Sequence, residues 1–174
     1  MRFTATDIDG VLLLETDPIA DDRGDFARSF CAEEFHKAGL NFTPVQMNIS
    51  RNNTQGTLRG MHYQGEPEPD PKVVRCTSGR IYDVAVDLRK DSESFCRWVA
   101  AELTPDNQKS LLVPAGCAHG FITLEVQATN KANRREKTSS KHHTPKITPD
   151  IDAVVELVGV FVVVAVVVVA VEEL

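Results

Sequence analysis

The sequence predicts an all-β fold, an antiparallel sandwich or barrel carrying a few short helices. Three observations predict it. Glycine, proline and asparagine punctuate residues 1–125 at short intervals. The segments between them are short and either alternating or β-branched. Only one of them carries a helical pattern, and many short strands between turn signals favour a sandwich or barrel. At 174 residues the chain is long enough for one domain with its own core.

The elements follow in order. "GVLLLET", from Gly10, reads as a strand. "CAEEFHKAG", from Cys31, reads as a short helix ended by Gly39. "EPEPDP", from Glu66, donates too few backbone hydrogen bonds for a central strand and reads as an exposed loop. Lys72 opens the strand "KVVRCTSG". "IYDVAVDL" alternates, with Ile81, Asp83, Ala85 and Asp87 on one face and Tyr82, Val84, Val86 and Leu88 on the other. "CRWVAAEL" and "KSLLVPAG" fit two more strands. The charges of Asp87, Arg89 and Lys90, at a strand end, read as a solvated face.

The net charge of −6, with both signs interspersed, excludes the basic face of a nucleic-acid binder. It permits an anionic small ligand, because a pocket can be locally positive on an acidic protein. Cys31, Cys76, Cys96 and Cys117 are widely spaced, without a CxxC. "MRFTATDIDG" lacks the apolar run of a signal peptide. The expectation is a cytoplasmic protein with reduced thiols.

The character changes after Glu125. Residues 130–146 are basic and lack apolar periodicity, and a valine-rich run follows in which Leu157–Val171 is uninterrupted. That run is short for a membrane span. Basic residues before an apolar tail also resemble a membrane-anchored terminus, so a membrane contact is left open. Such monotony is unlike a packed core. The chain therefore divides into a folded domain over 1–125 and an atypical segment over 126–174. That segment either completes the same domain or is an aberrant tail.

The chemistry lies in "TLRGMHYQ", from Thr57, and "PAGCAH", from Pro114. A cupin-type jelly-roll metal site takes two histidines from a GxHxH strand and another from a PxGxxH turn. His119 completes the second motif. The first is broken, because Gln64 stands at its second histidine position. His62 and His119, with Glu66 or Glu68, make a poor transition-metal set, so no metal is expected. His62 is instead a candidate proton-transfer base, the alternative being an ordinary structural histidine. Arg59 and His62 are three residues apart and lie on opposite strand faces unless the strand is bulged at Gly60. A cation such as Lys72 beside a neutral imidazole suits proton abstraction next to a carbonyl, where charge moves onto an enolate oxygen.

"DDRGDFARSF", "TLRGMHYQ", "KVVRCTSGRIYDVAVDLRKDSESFCRW" and "VPAGCAHGFITLE" together resemble the dTDP-4-dehydrorhamnose 3,5-epimerase family, over nearly all of residues 1–125. The resemblance implies a cupin-type jelly-roll barrel and a homodimer that exchanges an N-terminal strand. It implies no metal or organic cofactor. The substrate it implies is dTDP-4-dehydro-6-deoxyglucose, on the route to dTDP-rhamnose and surface polysaccharide. His62 matches the family's base and Lys72 the group facing the enolate oxygen. Arg59 and His119 match pocket-lining partners, and Gln46 and Asn48 match ligand contacts. Arg23 matches the arginine that reaches the diphosphate, in the dimer mate, with Phe26 on the nucleotide side.

Three departures stand out. Arg28 occupies a position where the family often has glutamate. The family's tyrosine acid, about a dozen residues after the AHGF histidine, has no counterpart; the chain's tyrosines are Tyr63 and Tyr82. Its orienting aspartate has no clear match either, Asp150 and Asp152 being out of register. Four readings follow. The first is an epimerase. The second is a non-catalytic nucleotide-sugar-binding module on the same barrel. The others are a related 3-epimerase or 3,4-ketoisomerase, and a metal-dependent cupin.

Overall fold

The computed structural model describes residues 1–65 and 70–125. Two four-stranded antiparallel sheets face each other. One joins β1 (Arg2–Ala5), β2 (Leu12–Glu15), β9 (Lys109–Val113) and β6 (Lys72–Arg75), in that order. The other joins β5 (Leu58–His62), β10 (Cys117–Thr123), β7 (Ile81–Asp87) and β8 (Trp98–Leu103). A separate hairpin is formed by β3 (Ile19–Asp21) and β4 (Gly24–Phe26). The one helix among the described residues is α1 (Ala32–Lys37).

Between the sheets lies a core that includes Leu13, Val74, Leu111 and Val113 from one and Ile81, Ala85, Leu103 and Cys117 from the other. The alternation of "IYDVAVDL" falls as expected. Ile81, Asp83, Ala85 and Asp87 take the inner face, while Tyr82, Val84 and Val86 join a second apolar layer outside. The leucine run of β2 has a different cause. Leu13 points inward, and Leu12 and Leu14 pack outward beneath α1. A strand covered on both faces needs no polar alternate.

The helix is too short to persist alone. Phe35, 1% exposed, anchors it against Phe3 and Phe30, with ring centroids 5.1 and 4.9 Å away. Glu33 and Glu34 in its first turn and His36 and Lys37 in its last complement its dipole. The proline-rich loop at 66–69 and the whole of 126–174 lie outside the described residues. Among the described residues no helix is long and apolar enough to cross a membrane; the apolar tail itself is outside them.

Asp87 overturns the solvated-face expectation. Its carboxylate is fully buried. Arg89 reaches it bidentately, Nε to Oδ1 at 2.8 Å and a terminal nitrogen to Oδ2 at 2.9 Å. The hydroxyls of Ser92 and Ser94 donate to Oδ2 at 2.6 and 2.7 Å. A charge at a strand end is solvated only if the following loop leaves it open, and here the loop folds back over it. Arg89 also donates to the Asp9 carbonyl at 2.8 Å, tying in the β1–β2 turn. Gly116 explains itself at this point: φ is +81°, and a Cβ there would meet Arg89 Cγ at 2.5 Å.

Burial alone would push the Asp87 carboxyl up; hydrogen bonds from Arg89, Ser92 and Ser94 outweigh it and hold it well below the usual carboxylate range. A depressed folded-state value stabilises the fold above about pH 4, and that contribution is lost as pH falls. Asp87→Asn is expected to cost about 3 kcal/mol at neutral pH, because it leaves Arg89 without its counter-charge. It is also expected to flatten the loss of stability on acidification. Urea melts across the acid range check both effects.

Candidate active site

The inner face of the second sheet gathers the site. In the β5–β10 ladder His62 stands opposite His119, and Arg59 stands opposite Phe121. Two steps along β10 therefore match three along β5, which is a β-bulge at Gly60. In a regular strand Arg59 and His62 would point to opposite faces. The extra residue turns both toward the face of His119 and Phe121, while Leu58 and Met61 join the outer layer. Only glycine permits this. Gly60 has φ +128°, and a Cβ on it would sit 2.6 Å from Gly120 Cα and 3.0 Å from the His119 carbonyl.

His119 is buried, and its Nε2 lies 2.8 Å from Asp83 Oδ1, which is itself fully buried. Burial pushes the Asp83 carboxyl up, and the hydrogen bond with His119 pulls it back. Arg59 donates from Nε to Asn52 Oδ1 at 2.6 Å, and Asn52 is buried beneath it. His62 stands at the end of an edge strand and is exposed, where an interior ring was expected. Its register still keeps it on the inner face. From the facing sheet, Lys72 pairs with Val113 and shares the inward face of Val74. Its Nζ lies 2.8 Å from Asp70.

An imidazole open to ligand, a guanidinium and an ammonium thus stand on the inward faces of the two sheets, with Arg59 and His62 exposed on the edge strand. The set can bind an anionic ligand and accept a proton from carbon. Cys117, in the same turn motif as His119, is not a nucleophile at neutral pH, because burial and the Asp87 charge push its thiol up to about 11. Among the described residues no three His, Cys, Asp or Glu side chains converge as metal ligands. Glu66 and Glu68 lie outside those residues.

Four expected residues are not brought to this wall within one chain. Arg23 sits on the β3–β4 hairpin, its guanidinium 2.5 Å from Asp21, and Phe26 is 76% exposed beside it. Gln46 and Asn48 are exposed on the segment 44–50, which carries no helix or strand. Arg28 pairs with Glu34 at 2.8 Å. Tyr82 belongs to the outer layer, and Tyr63 is half-exposed one residue past His62. Sequence reasoning missed Asn52 and Asp83 as site residues. Asn52, beside Asn53, reads in the sequence as turn punctuation. Asp83 left a signal, a carboxylate on the apolar face of an alternating strand, that marks a buried polar group in need of a partner.

Residues 5–153 match the family model described as dTDP-4-dehydrorhamnose 3,5-epimerase, a match that runs past Glu125. The enzyme of that name from Shigella flexneri is 43% identical over 129 residues, covering 74% of this chain and 71% of its own. That from Escherichia coli K12 is 41% identical over 144 residues, or 82% and 75%. A Bacillus anthracis dTDP-4-dehydrorhamnose 3,5-epimerase, solved with TDP and pyrophosphate, superposes with a TM-score of 0.70 at 40% identity, covering 72% of each chain. A dTDP-6-deoxy-D-glucose-3,5-epimerase from Legionella pneumophila, solved with dTDP-4-keto-L-rhamnose, gives 0.67 at 36% identity, covering 72% of this chain and 66% of its own. The two facing sheets are those of a cupin-type jelly-roll barrel, as the motifs led one to expect.

The wall depends on the bulge. Gly60→Ala is expected to destabilise the fold by about 1–3 kcal/mol through strain and overpacking against Gly120. It is also expected to weaken ligand binding beyond what stability explains, because Arg59 and His62 no longer share a face. Urea melts and dTDP titrations of the same variant separate the two effects.

Proposed function

Because this chain belongs to the dTDP-4-dehydrorhamnose 3,5-epimerase family, we propose that it epimerises dTDP-4-dehydro-6-deoxyglucose at C3 and C5, in the making of dTDP-rhamnose for surface polysaccharide. One observation carries the reading. The bulge at Gly60 sets Arg59, His62 and His119 on one inner wall, with Lys72 on the inner face of the sheet opposite. The C3 and C5 hydrogens both lie α to the C4 ketone. His62 takes such a proton as general base, and the electron pair moves onto the C4 oxygen as an enolate. Lys72 faces that oxygen and stabilises its charge, while Arg59 and His119 hold the sugar in register. No step calls for a metal or organic cofactor.

Inversion also needs a proton from the far face. The family's tyrosine for that role has no counterpart in 126–174, which contains no tyrosine. Exchange with solvent is therefore expected to outpace inversion. In heavy water the chain is expected to place deuterium at C3 and C5 of the keto-sugar, and His62→Asn to slow this by roughly 10²–10⁴-fold. Wild-type protein that binds dTDP but incorporates no deuterium, or His62→Asn equal to wild type, would defeat the proposal.

The reading includes a homodimer in the cytoplasm with its cysteines as thiols. Support for the dimer comes from residues 44–50. Val45, Met47 and Ile49 alternate along this segment and are 98%, 89% and 83% exposed. That is the pattern of a strand lacking a sheet to lie on. Exchange of this segment brings Gln46 and Asn48 to a ligand, and the hairpin of one copy brings Arg23 and Phe26 to the nucleotide of the other. A guanidinium fork suits the diphosphate. Met47→Asp is expected to shift the protein from dimer to monomer in sedimentation and to weaken dTDP binding at least tenfold.

A further inference from the structure

We propose that Asp83 is a positioning residue that keeps a proton on the Asp83–His119 pair, making His119 a second acid of the wall beside His62. The proposal deepens the epimerase reading and rests on it for the substrate. Its basis is an orphaned atom. Asp83 is fully buried and its Oδ1 meets His119 Nε2, but its Oδ2 has no hydrogen-bond partner among the described residues.

A carboxylate with one bare oxygen is among the costliest groups to bury, and a shared proton neutralises it. The cations of neighbouring elements have other partners. Arg59 bonds Asn52, Lys72 bonds Asp70, and Arg89 bonds Asp87. Among the described residues His119 is thus the group left to neutralise Asp83. The other titratable groups on these inner faces are His62 on β5, Asp87 on β7 and Cys117 on β10. Cys76, just beyond β6, has its thiol raised by burial and then by the charges of Glu125 and Asp83.

With Nε2 turned to Asp83, Nδ1 is the nitrogen His119 offers to a ligand. His119 and His62 are directly opposed in the ladder, so their side chains stand next to each other on one wall. The division of labour follows. His62 takes the proton from C3 or C5, and the C–H electron pair becomes the enolate double bond as the ketone pair moves onto oxygen. His119 Nδ1–H lends its proton to that oxygen, and the proton returns to His119 when His62, its own proton exchanged with solvent, reprotonates the carbon. Asp83 makes this possible by stabilising the imidazolium.

The test titrates the ring nitrogens of His119 by NMR in the full chain, in wild type, Asp83→Asn and Asp83→Glu. The chain has five histidines, so loss of signals in His119→Gln assigns His119 and loss in His62→Asn assigns His62. Deuterium exchange into the keto-sugar is followed across the same pH range. Removing the carboxylate is expected to lower the pH at which His119 deprotonates by at least about one unit. The alkaline limb of kcat for exchange is expected to move with it, KM changing less than about threefold. Asp83→Glu is expected to restore most of the shift, and Asp83→Asn to add nothing in a His119→Gln background. An unmoved His119 titration, an unmoved alkaline limb, or additive losses in the double variant would overturn the proposal. If Asp83→Asn does not fold, the Asp83 carboxyl titration in His119→Gln decides the coupling from the other side. If wild type exchanges nothing, the epimerase reading fails, and the NMR titration still decides the pair.

Discussion

The site depends on one close approach, between Gly60 and Gly120. Backbones that near leave no room for a Cβ on either strand; one on Gly120 would meet Met61 Sδ at 2.8 Å and the Arg59 carbonyl at 2.9 Å. The bulge that results shifts the register by one residue. Because side chains alternate with a period of two, one residue is the difference between His62 in the barrel and His62 in the outer apolar layer. The facing of Arg59 and His62 and the pairing of His62 with His119 follow from that local geometry, and Met61 is sent outward by it.

Two aspartates on the same face of β7 then meet opposite fates. Asp87 receives a bidentate arginine and two hydroxyls, and its charge becomes structural cement for the loop after the strand. Asp83 receives one imidazole nitrogen and nothing on its second oxygen among the described residues. The first arrangement fixes a charge, whereas the second leaves a proton to be shared. Both carboxylates are sealed from solvent, but Asp83 lies deeper in the core, and its depth together with its fewer donors separates it from Asp87.

The hairpin carrying Arg23 and Phe26 and the extended segment carrying Gln46 and Asn48 are exposed. Even so, the hairpin is held. Gln108 donates to Asp25 at 2.6 Å while accepting from Thr16 at 2.5 Å, which ties it to the barrel. The tethered hairpin thus presents an exposed phenylalanine and a guanidinium held, among the described residues, by its neighbour Asp21.

The sequence by itself determined strands β2 and β5 to β9, the helix around Phe35, the two faces of β7 and the membership of His62, His119, Lys72 and Arg59 in one motif set. These are legible because they rest on local periodicity and on residue types that carry chemistry wherever they stand. Tertiary structure alone decided the rest. The sequence offered Gly60 as a conditional bulge, and only its contact with Gly120 resolved which face Arg59 takes. It read Asp87 as solvated, and only the fold-back of Arg89, Ser92 and Ser94 buried it. It gave no partner to Asp83 or Arg59, because His119 and Asn52 reach them across strand pairings and loop contacts. Periodicity reports which way a residue points, but partners are set by which distant segment packs opposite.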